Sequence, residues 1–209
     1  MKIYFVRHGE TPWNKEKRVQ GQQDIPLNEK GRELARMTRD GMADISFDRI
    51  YSSPLSRAYE TAEIISGVDN PVIYADDRLK EISFGTAEGV SILEASKEKD
   101  SFISCFFHCP EEYEPAEGGE TLSHVRERGL QFIQSELVPL EKECENILLV
   151  AHACIIRSMM SALLDIPISE LWSGPAYKNC CVSIVECKEG KLTVLEEAKL
   201  YYKEEQKEK

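Results

Sequence analysis

No apolar stretch in this chain approaches the ~20 residues that a helix needs to cross a bilayer, so a helical membrane anchor is excluded. No Cys-x-x-Cys pair occurs either, and the seven cysteines (105, 109, 144, 154, 180, 181 and 187) are odd in number. A disulfide framework is therefore not expected, and buried thiols acting as small hydrophobes are. Positive charge is short: 26 Lys and Arg against 37 Asp and Glu leave a net charge of −11. Nucleic acid and anionic membrane surfaces, both held by clusters of Lys and Arg, are set aside as partners. An anionic small molecule stays open, provided that its positive field is local to a pocket. No targeting leader is visible before the first apolar run, which together with the cysteines points to the cytoplasm.

Histidine is scarce, with four in 209 residues, and two of the four directly follow apolar runs. Ile3-Tyr4-Phe5-Val6 reads as a strand buried on both faces, and it ends at Arg7-His8-Gly9. Gly9 lets the backbone turn sharply. An arginine and a histidine are thus delivered to the carboxyl end of a strand, where open α/β sheets place their ligand crevices. Asn146 to Ala151 is a second buried strand, and it ends in His152. If the two strands are parallel neighbours, His8 and His152 emerge at one edge of the sheet. The competing reading makes Arg7 a solubilising strand end and His8 a surface histidine.

Between these strands the chain alternates. A polar loop through Asn14, Gln20-Gly21 and Asp24 closes at Pro26-Leu27, and Asn28 caps a helix expected from about Glu29 to Asp40, terminated by Gly41. Arg49 to Ser52 is a short strand. Ser53 is expected to cap the next helix with Pro54 at its first position, which places Arg57 in the first turn. A cation is unfavourable there by dipole logic, so Arg57 points to an anionic ligand; the alternative is a structural pair with Glu60 or Glu63. Pro71 to Ala75 is a further strand. Residues from Ser83 to Gly119 leave the alternation as an excursion rich in aromatics (Phe102, Phe106, Phe107, Tyr113), a natural cap over the crevice, with packing the commoner role for such rings. A helix is expected from about Glu120 to Leu137, and Cys181 to Cys187 with Leu192 to Ala198 read as a hairpin about Glu189-Gly190 on one edge. The pattern specifies an α/β domain with a mainly parallel sheet over 1–202, a cap excursion at about 83–119, and a charged, solvated tail at 203–209.

Arg7 and Arg57 offer planar forks matched to phosphate oxygens, and a nearby imidazole can attack phosphorus or donate to an equatorial oxygen. Phosphoryl transfer needs little beyond such positioning and charge. The missing piece is a proton for the leaving oxygen, which Glu81 supplies if its pocket keeps it protonated; the plain alternative is a surface carboxylate. Cys105 and Cys109 with His108 lack a second ligand pair at zinc-like spacing, so neither metal nor cofactor is expected. His108 and His124 are bystanders. No heptad or exposed stripe declares an oligomer.

These residues together resemble the histidine phosphatase superfamily, in its phosphoglycerate-mutase-like branch. The resemblance rests on Arg7-His8-Gly9-Glu10-Thr11, on Asn14 with Gln20-Gly21 and Asp24 to Leu27, and on Ser52 to Ala62. Leu79 and Glu81 with Phe84-Gly85 and Glu88-Gly89, then Gly118 to Thr121, and finally His152 to Arg157 complete it. It implies a three-layer α/β/α sandwich and a phosphohistidine intermediate without metal. It makes His8 the nucleophile, with its second ring nitrogen donating to a backbone carbonyl. Arg7, Arg57 and His152 hold the phosphoryl oxygens, and Asn14, Gln20, Gly21 and Ala153 line the pocket. Glu81 is the general acid and base. Cys154 departs from the pattern, standing where the family often has a second small glycine. The Arg-Arg and proline-run segment by which mutases grip a phosphoglycerate carboxylate is also missing between Ser83 and Glu120. The expected activity is hydrolysis of small phosphate monoesters. A cofactor-dependent phosphoglycerate mutase is the alternative, and a non-catalytic phosphate-binding module the third reading.

Overall fold

A computed structural model describes residues 1–97 and 101–203. The expected charged tail beyond Lys203, and Lys99 within the excursion, lie outside the described residues. Strand β1 (Lys2–Arg7) occupies the interior of a six-stranded sheet ordered β3-β2-β4-β1-β5-β6. Its neighbours are β4 (Asn146–Ala151), parallel, with Arg7 opposite Ala151, and β5 (Val182–Lys188), antiparallel. Strand β2 (Arg49–Ser52) joins the other side of β4 in parallel, and β3 (Ile73–Ala75) joins β2. Strand β6 (Lys191–Lys199) pairs with β5 as the expected edge hairpin. The apolar runs of β1 and β4 are buried on both faces because each face has its own cover.

Alternate side chains decide which cover each residue meets. Ile3 and Phe5 of β1 with Ile147, Leu149 and Ala151 of β4 face one core. That core is completed by helix α6 (Leu122–Phe132), helix α7 (Ala153–Leu163) and the excursion. Tyr4, Val6, Leu148 and Val150 face the other, under α2 (Glu29–Gly41) and α3 (Ser56–Ser66). The result is three layers, as the resemblance implied. Burying each large aliphatic or aromatic side chain in these layers stabilises the fold by about 1.5–3 kcal/mol. No helix among the described residues is long and apolar enough to cross a membrane.

Several expected boundaries move, each for a local reason. Helix α2 includes Gly41 and stops at Met42, whose N–H turns back to Thr38 and Arg39. Helix α3 begins at Ser56 behind Leu55, with no side-chain cap; Ser53 is not its N-cap and Pro54 lies outside it. Strand β3 starts at Ile73 rather than Pro71, and β5 covers Val182–Lys188 rather than Cys181 to Cys187. The long helix expected to Leu137 leaves the α-helical ladder after Phe132. It continues as a widened turn, Ile133–Leu137, and then a tight 3-10 turn, Val138–Lys142, where Pro139 has no N–H to contribute. The excursion holds α4 (Ile92–Ala95), α5 (Phe102–His108) and the turn Pro110–Glu112. A short helix, α1 (Pro12–Lys15), sits in the loop after β1, closed by a reciprocal Thr11–Asn14 capping box.

Candidate active site

Parallel pairing of β1, β4 and β2 brings His8, His152 and Ser53 to one carboxyl edge. The His8 N–H donates to the Ala151 carbonyl at 2.9 Å, extending the β1–β4 ladder by one residue. The chain then turns at Gly9, where there is no room for a side chain: a Cβ would lie 2.6 Å from the Gly31 carbonyl oxygen of α2. The Gly9 N–H donates to Thr61 Oγ1 of α3 at 3.0 Å, tying the turn to the layer beneath.

His8 is 3% exposed, and its Nδ1 lies 2.7 Å from the Gly9 carbonyl oxygen. A carbonyl only accepts, so Nδ1 carries the proton and Nε2 keeps its lone pair. Burial, then the nearby Arg57 and Arg7 charges, hold the imidazole well below its ordinary pKa. It is a neutral imidazole at physiological pH. His152 is fully buried, and its ring centroid is 5.0 Å from that of His8. Its pKa is likewise lowered by burial and by Arg57. Its Nε2 lies 2.8 Å from Ser53 Oγ. That hydroxyl also accepts from the Leu55 N–H at 3.3 Å, and His152 Nε2 is the acceptor within reach of its own proton; a proton donated there puts the imidazole proton on Nδ1. The Nδ1 of His152 is buried and has no partner.

The arginines are anchored the same way. Arg57 is fully buried on the first turn of α3; its Nη1 and Nη2 donate to the Gln23 and Gly21 carbonyls, each at 2.7 Å. The salt bridge to Glu60 or Glu63 does not form, since Glu60 binds Arg32 at 2.6 Å. Burial pushes the Arg57 guanidinium down to about 10, so it remains charged. Arg7 donates through Nη1 to the Tyr177 carbonyl. With both Nη groups of Arg57 and Nη1 of Arg7 tied to backbone, Nε of Arg7 and Nε of Arg57 remain buried and unpartnered. Three orphan donors, two of them on cations, thus belong to residues grouped with His8. Buried donors without acceptors are costly, and an oxyanion with several free oxygens answers all three.

Glu81 reaches the same cavity and grips the start of α7. Its Oε1 accepts from the Ile82 and Ile155 N–H groups at 3.0 and 3.2 Å, and its Oε2 from the Cys154 N–H at 3.2 Å. Cys154 thus does not obstruct the close backbone approach that its side chain had put in question. Asn14 Oδ1 accepts from Thr11 and from Asn179 Nδ2 at 3.3 Å, and Gln20 Oε1 accepts from Thr11 Oγ1 at 2.8 Å. The cavity, of about 440 Å³, is lined by every site residue expected from the sequence except His152, whose ring lies 5.0 Å from that of His8.

Sequence reasoning missed three contributors. Ser53 was taken for a helix cap, and nothing in its neighbourhood pattern reveals a histidine partner. The segment Trp172 to Tyr177 roofs the cavity and supplies the carbonyl for Arg7, yet it carries no periodicity or motif. Glu197 on β6 accepts from Arg157 Nη1 and from Tyr177 Oη, the latter at 3.0 Å, and edge-strand glutamates give no sequence signal. Of the four excursion aromatics, Phe106 and Phe107 line the cavity, whereas Phe102 and Tyr113 pack against Phe84. Away from the cavity, Cys105, Cys109 and Glu112 bring donor atoms within 4.8 Å of one another. The sequence groups the two cysteines with His108 and offers no second ligand pair; the turn after α5 instead folds Glu112 back beside them. His108 and His124 do not line the cavity.

An open α/β sheet with a neutral histidine, one fully and one partly buried arginine and a carboxylate at its carboxyl edge defines an oxyanion-handling enzyme class. The chain belongs to the histidine phosphatase superfamily (branch 1), whose family profile matches residues 3–199. It is 30% identical over 195 residues to phosphoserine phosphatase 1 of Hydrogenobacter thermophilus, covering 93% of this chain and 90% of that one. It is 31% identical over 192 residues to a probable phosphoglycerate mutase, GpmB, of Salmonella choleraesuis, covering 90% and 86%. Among solved structures, YhfR of Bacillus stearothermophilus superposes with a TM-score of 0.85 at 36% identity, over 94% of this chain and 96% of that one.

Proposed function

We propose that this protein is a metal-independent phosphomonoesterase that works through a phosphohistidine on His8. The observation that carries the reading is the set of three buried, unpartnered donors, Arg7 Nε, Arg57 Nε and His152 Nδ1, arranged about a neutral histidine. His8 Nε2 attacks phosphorus and the ester P–O bond breaks. Arg7, Arg57 and His152 stabilise the equatorial oxygens, and Glu81 is the group that gives a proton to the departing alcohol oxygen. Glu81 then takes a proton from water as that water attacks, the P–N bond breaks, and free His8 and phosphate result. Asn14, Gln20, Gly21 and Ala153 line the pocket around the phosphoryl group. We further read residues 1–202 as one domain with 83–119 as its cap. We place the enzyme in the cytoplasm on its seven unpaired cysteines.

The test is brief incubation with an ester carrying labelled phosphorus, in excess chelator, followed by quenching without acid and digestion. Label is expected on His8 alone, and His8→Ala abolishes both label and turnover. Label elsewhere, or activity that chelator removes and one divalent ion restores, overturns the reading. Similarity to a probable phosphoglycerate mutase gives a second reading weight, since both activities share the first half-reaction. A mutase must retain its doubly anionic intermediate. Between Ser83 and Glu120, however, the chain has only Lys97 and Lys99 as cations, against nine carboxylates from Glu88 to Glu120. Interconversion of phosphoglycerates in the presence of bisphosphoglycerate, with free phosphate at background, would decide for the mutase.

A further inference from the structure

The cavity continues beyond the phosphate-holding groups, and its chemistry changes there. Phe84, Phe106, Phe107 and Trp172 pack against one another as a contiguous wall of it, with ring centroids 5.0–5.4 Å apart for the Phe84–Phe106, Phe106–Phe107, Phe106–Trp172 and Phe107–Trp172 pairs. The one polar atom of Trp172 is occupied, since Nε1 donates to the Phe106 carbonyl at 2.6 Å. The indole therefore turns only its apolar surface to the cavity, beside Ile92 and Ile103.

Two cations border this half, and each is already engaged by a carboxylate of the chain. Arg18 binds Glu16 at 2.8 Å and the Gly89 carbonyl at 2.9 Å. Arg157 is 1% exposed and is matched by Glu197, with its Nε on the Leu171 carbonyl. Its Nη2 is unpartnered, but the guanidinium lies beneath Gly174, where even a Cβ would come within 2.4 Å. The charge there is already balanced. A carboxylate entering this region would shed its water without gaining an uncommitted cation, which is costly. An alkyl or aryl group entering it would gain by leaving water.

From this wall we infer the substrate class: phosphate monoesters of neutral, apolar alcohols, with carboxylate-bearing esters such as phosphoserine and 3-phosphoglycerate excluded. The inference rests on the phosphomonoesterase reading and names what that site takes. The aromatic wall holds the alcohol portion, while the arginines and histidines hold the phosphate.

Two series separate the wall from the phosphate site. The first is binding of n-alkylphosphonates from methyl to octyl, which cannot be hydrolysed, by calorimetry on the intact protein. Affinity is expected to rise about fourfold per methylene, the equivalent of about 0.8 kcal/mol, until the cavity is filled. Phe107→Ala removes an exposed part of the wall (Phe107 is 41% exposed), so it does not threaten the fold, and it should flatten the rise. The second is kcat/KM for n-alkyl phosphates, whose leaving groups are chemically matched, against phosphoserine and 3-phosphoglycerate. Propyl phosphate is expected to be favoured over both by at least about tenfold, since an unpaired buried charge costs more than the ~1.4 kcal/mol that tenfold represents. A flat phosphonate series, or a preference for either carboxylate ester, overturns the inference. Methylphosphonate and vanadate binding report the phosphate site alone. If they bind while chain length has no effect, the substrate class fails and the phosphatase reading stands; if neither binds, the phosphatase reading fails.

Discussion

Replacing Glu81 with Gln separates the two tasks that the structure gives this side chain. The carboxylate accepts three N–H groups: those of Ile82 and Ile155 on Oε1, and that of Cys154 on Oε2, the last two at the start of α7. Gln keeps an oxygen for the first two, but its amide nitrogen must then face the Cys154 N–H, donor against donor. One buried N–H left without an acceptor costs about 1–3 kcal/mol, which for a chain of this size lowers Tm by roughly 2–12 °C at about 2–4 °C per kcal/mol. The proton-transfer task is lost outright, and general acids contribute about 10²–10⁴ in rate. The two effects part company in kcat/KM, which reports phosphoryl transfer to His8 independently of the later hydrolysis. Alkyl phosphates, whose alkoxides cannot leave unprotonated, should fall by about 10²–10⁴. Nitrophenyl phosphate, whose leaving group departs as the anion, should fall by less than about tenfold, which bounds the structural cost near ~1.4 kcal/mol. Assays of the folded variant across leaving groups of graded pKa give the slope directly. If alkyl and nitrophenyl esters fall in parallel, Glu81 is a helix cap that holds backbone in place, and it is not the acid.

Ser53→Ala leaves His152 Nε2 without its partner and frees the imidazole to change tautomer; loss of one buried hydrogen bond of about 1–3 kcal/mol should lower kcat/KM by about 5- to 150-fold, measured on nitrophenyl phosphate. Acid should destabilise the fold in a defined window. His8 and His152 are held neutral in the native state while the unfolded chain binds protons below pH ~6.5. Their contribution is therefore complete above pH 6.5 and is lost as pH falls, by about 1.4 kcal/mol per pH unit per histidine; thermal melts between pH 6.5 and 5.5 read this, and a flat Tm refutes it. Gly21→Ala should impair both stability and activity. Gly21 has φ +53°, where a side chain costs about 1–2 kcal/mol, and a Cβ would lie 2.0 Å from Glu88 Oε1, which binds the Gln22 and Phe84 N–H groups. The Gly21 carbonyl also anchors Arg57, so kcat/KM should fall by at least about tenfold, and unchanged kinetics would show that this anchor is dispensable.

What the sequence made legible follows from where local pattern governs. β1 and β4 are built on apolar runs; the limits of β2 and β4 hold, and β1 exceeds its run Ile3–Val6 by one residue at each end. His8, Arg57 and Glu81 belong to motifs whose residue types and spacing already imply a phosphate site, and all three line the cavity. The failures are tertiary. Ser53 looks like a cap because caps are local, and its bond to His152 spans two strands that only the sheet makes neighbours. The helix expected to Leu137 shows continuous apolar periodicity, but a widened turn shifts its phase after Phe132. The aromatics of the excursion could not be divided by sequence into packing and cavity groups. That division depends on Trp172, which lies 66 residues beyond Phe106 in the chain and meets α5 through the Phe106 carbonyl.

The sheet order carries a consequence for how this molecule is made. β1 is the first strand to leave the ribosome, yet its two partners, β4 and β5, begin at Asn146 and Val182. Synthesis at about 5–20 residues per second leaves Ile3 to Val6 without either neighbour for roughly 7 s at the fastest and half a minute at the slowest. A nascent chain therefore displays a short β-prone apolar segment for most of its synthesis, and it cannot assemble the His8–His152 pair until the chain through His152 has emerged. Truncation anywhere before β5 removes the edge that shields β1, so partial chains should be recognised by chaperones or aggregate rather than persist as weakly active fragments.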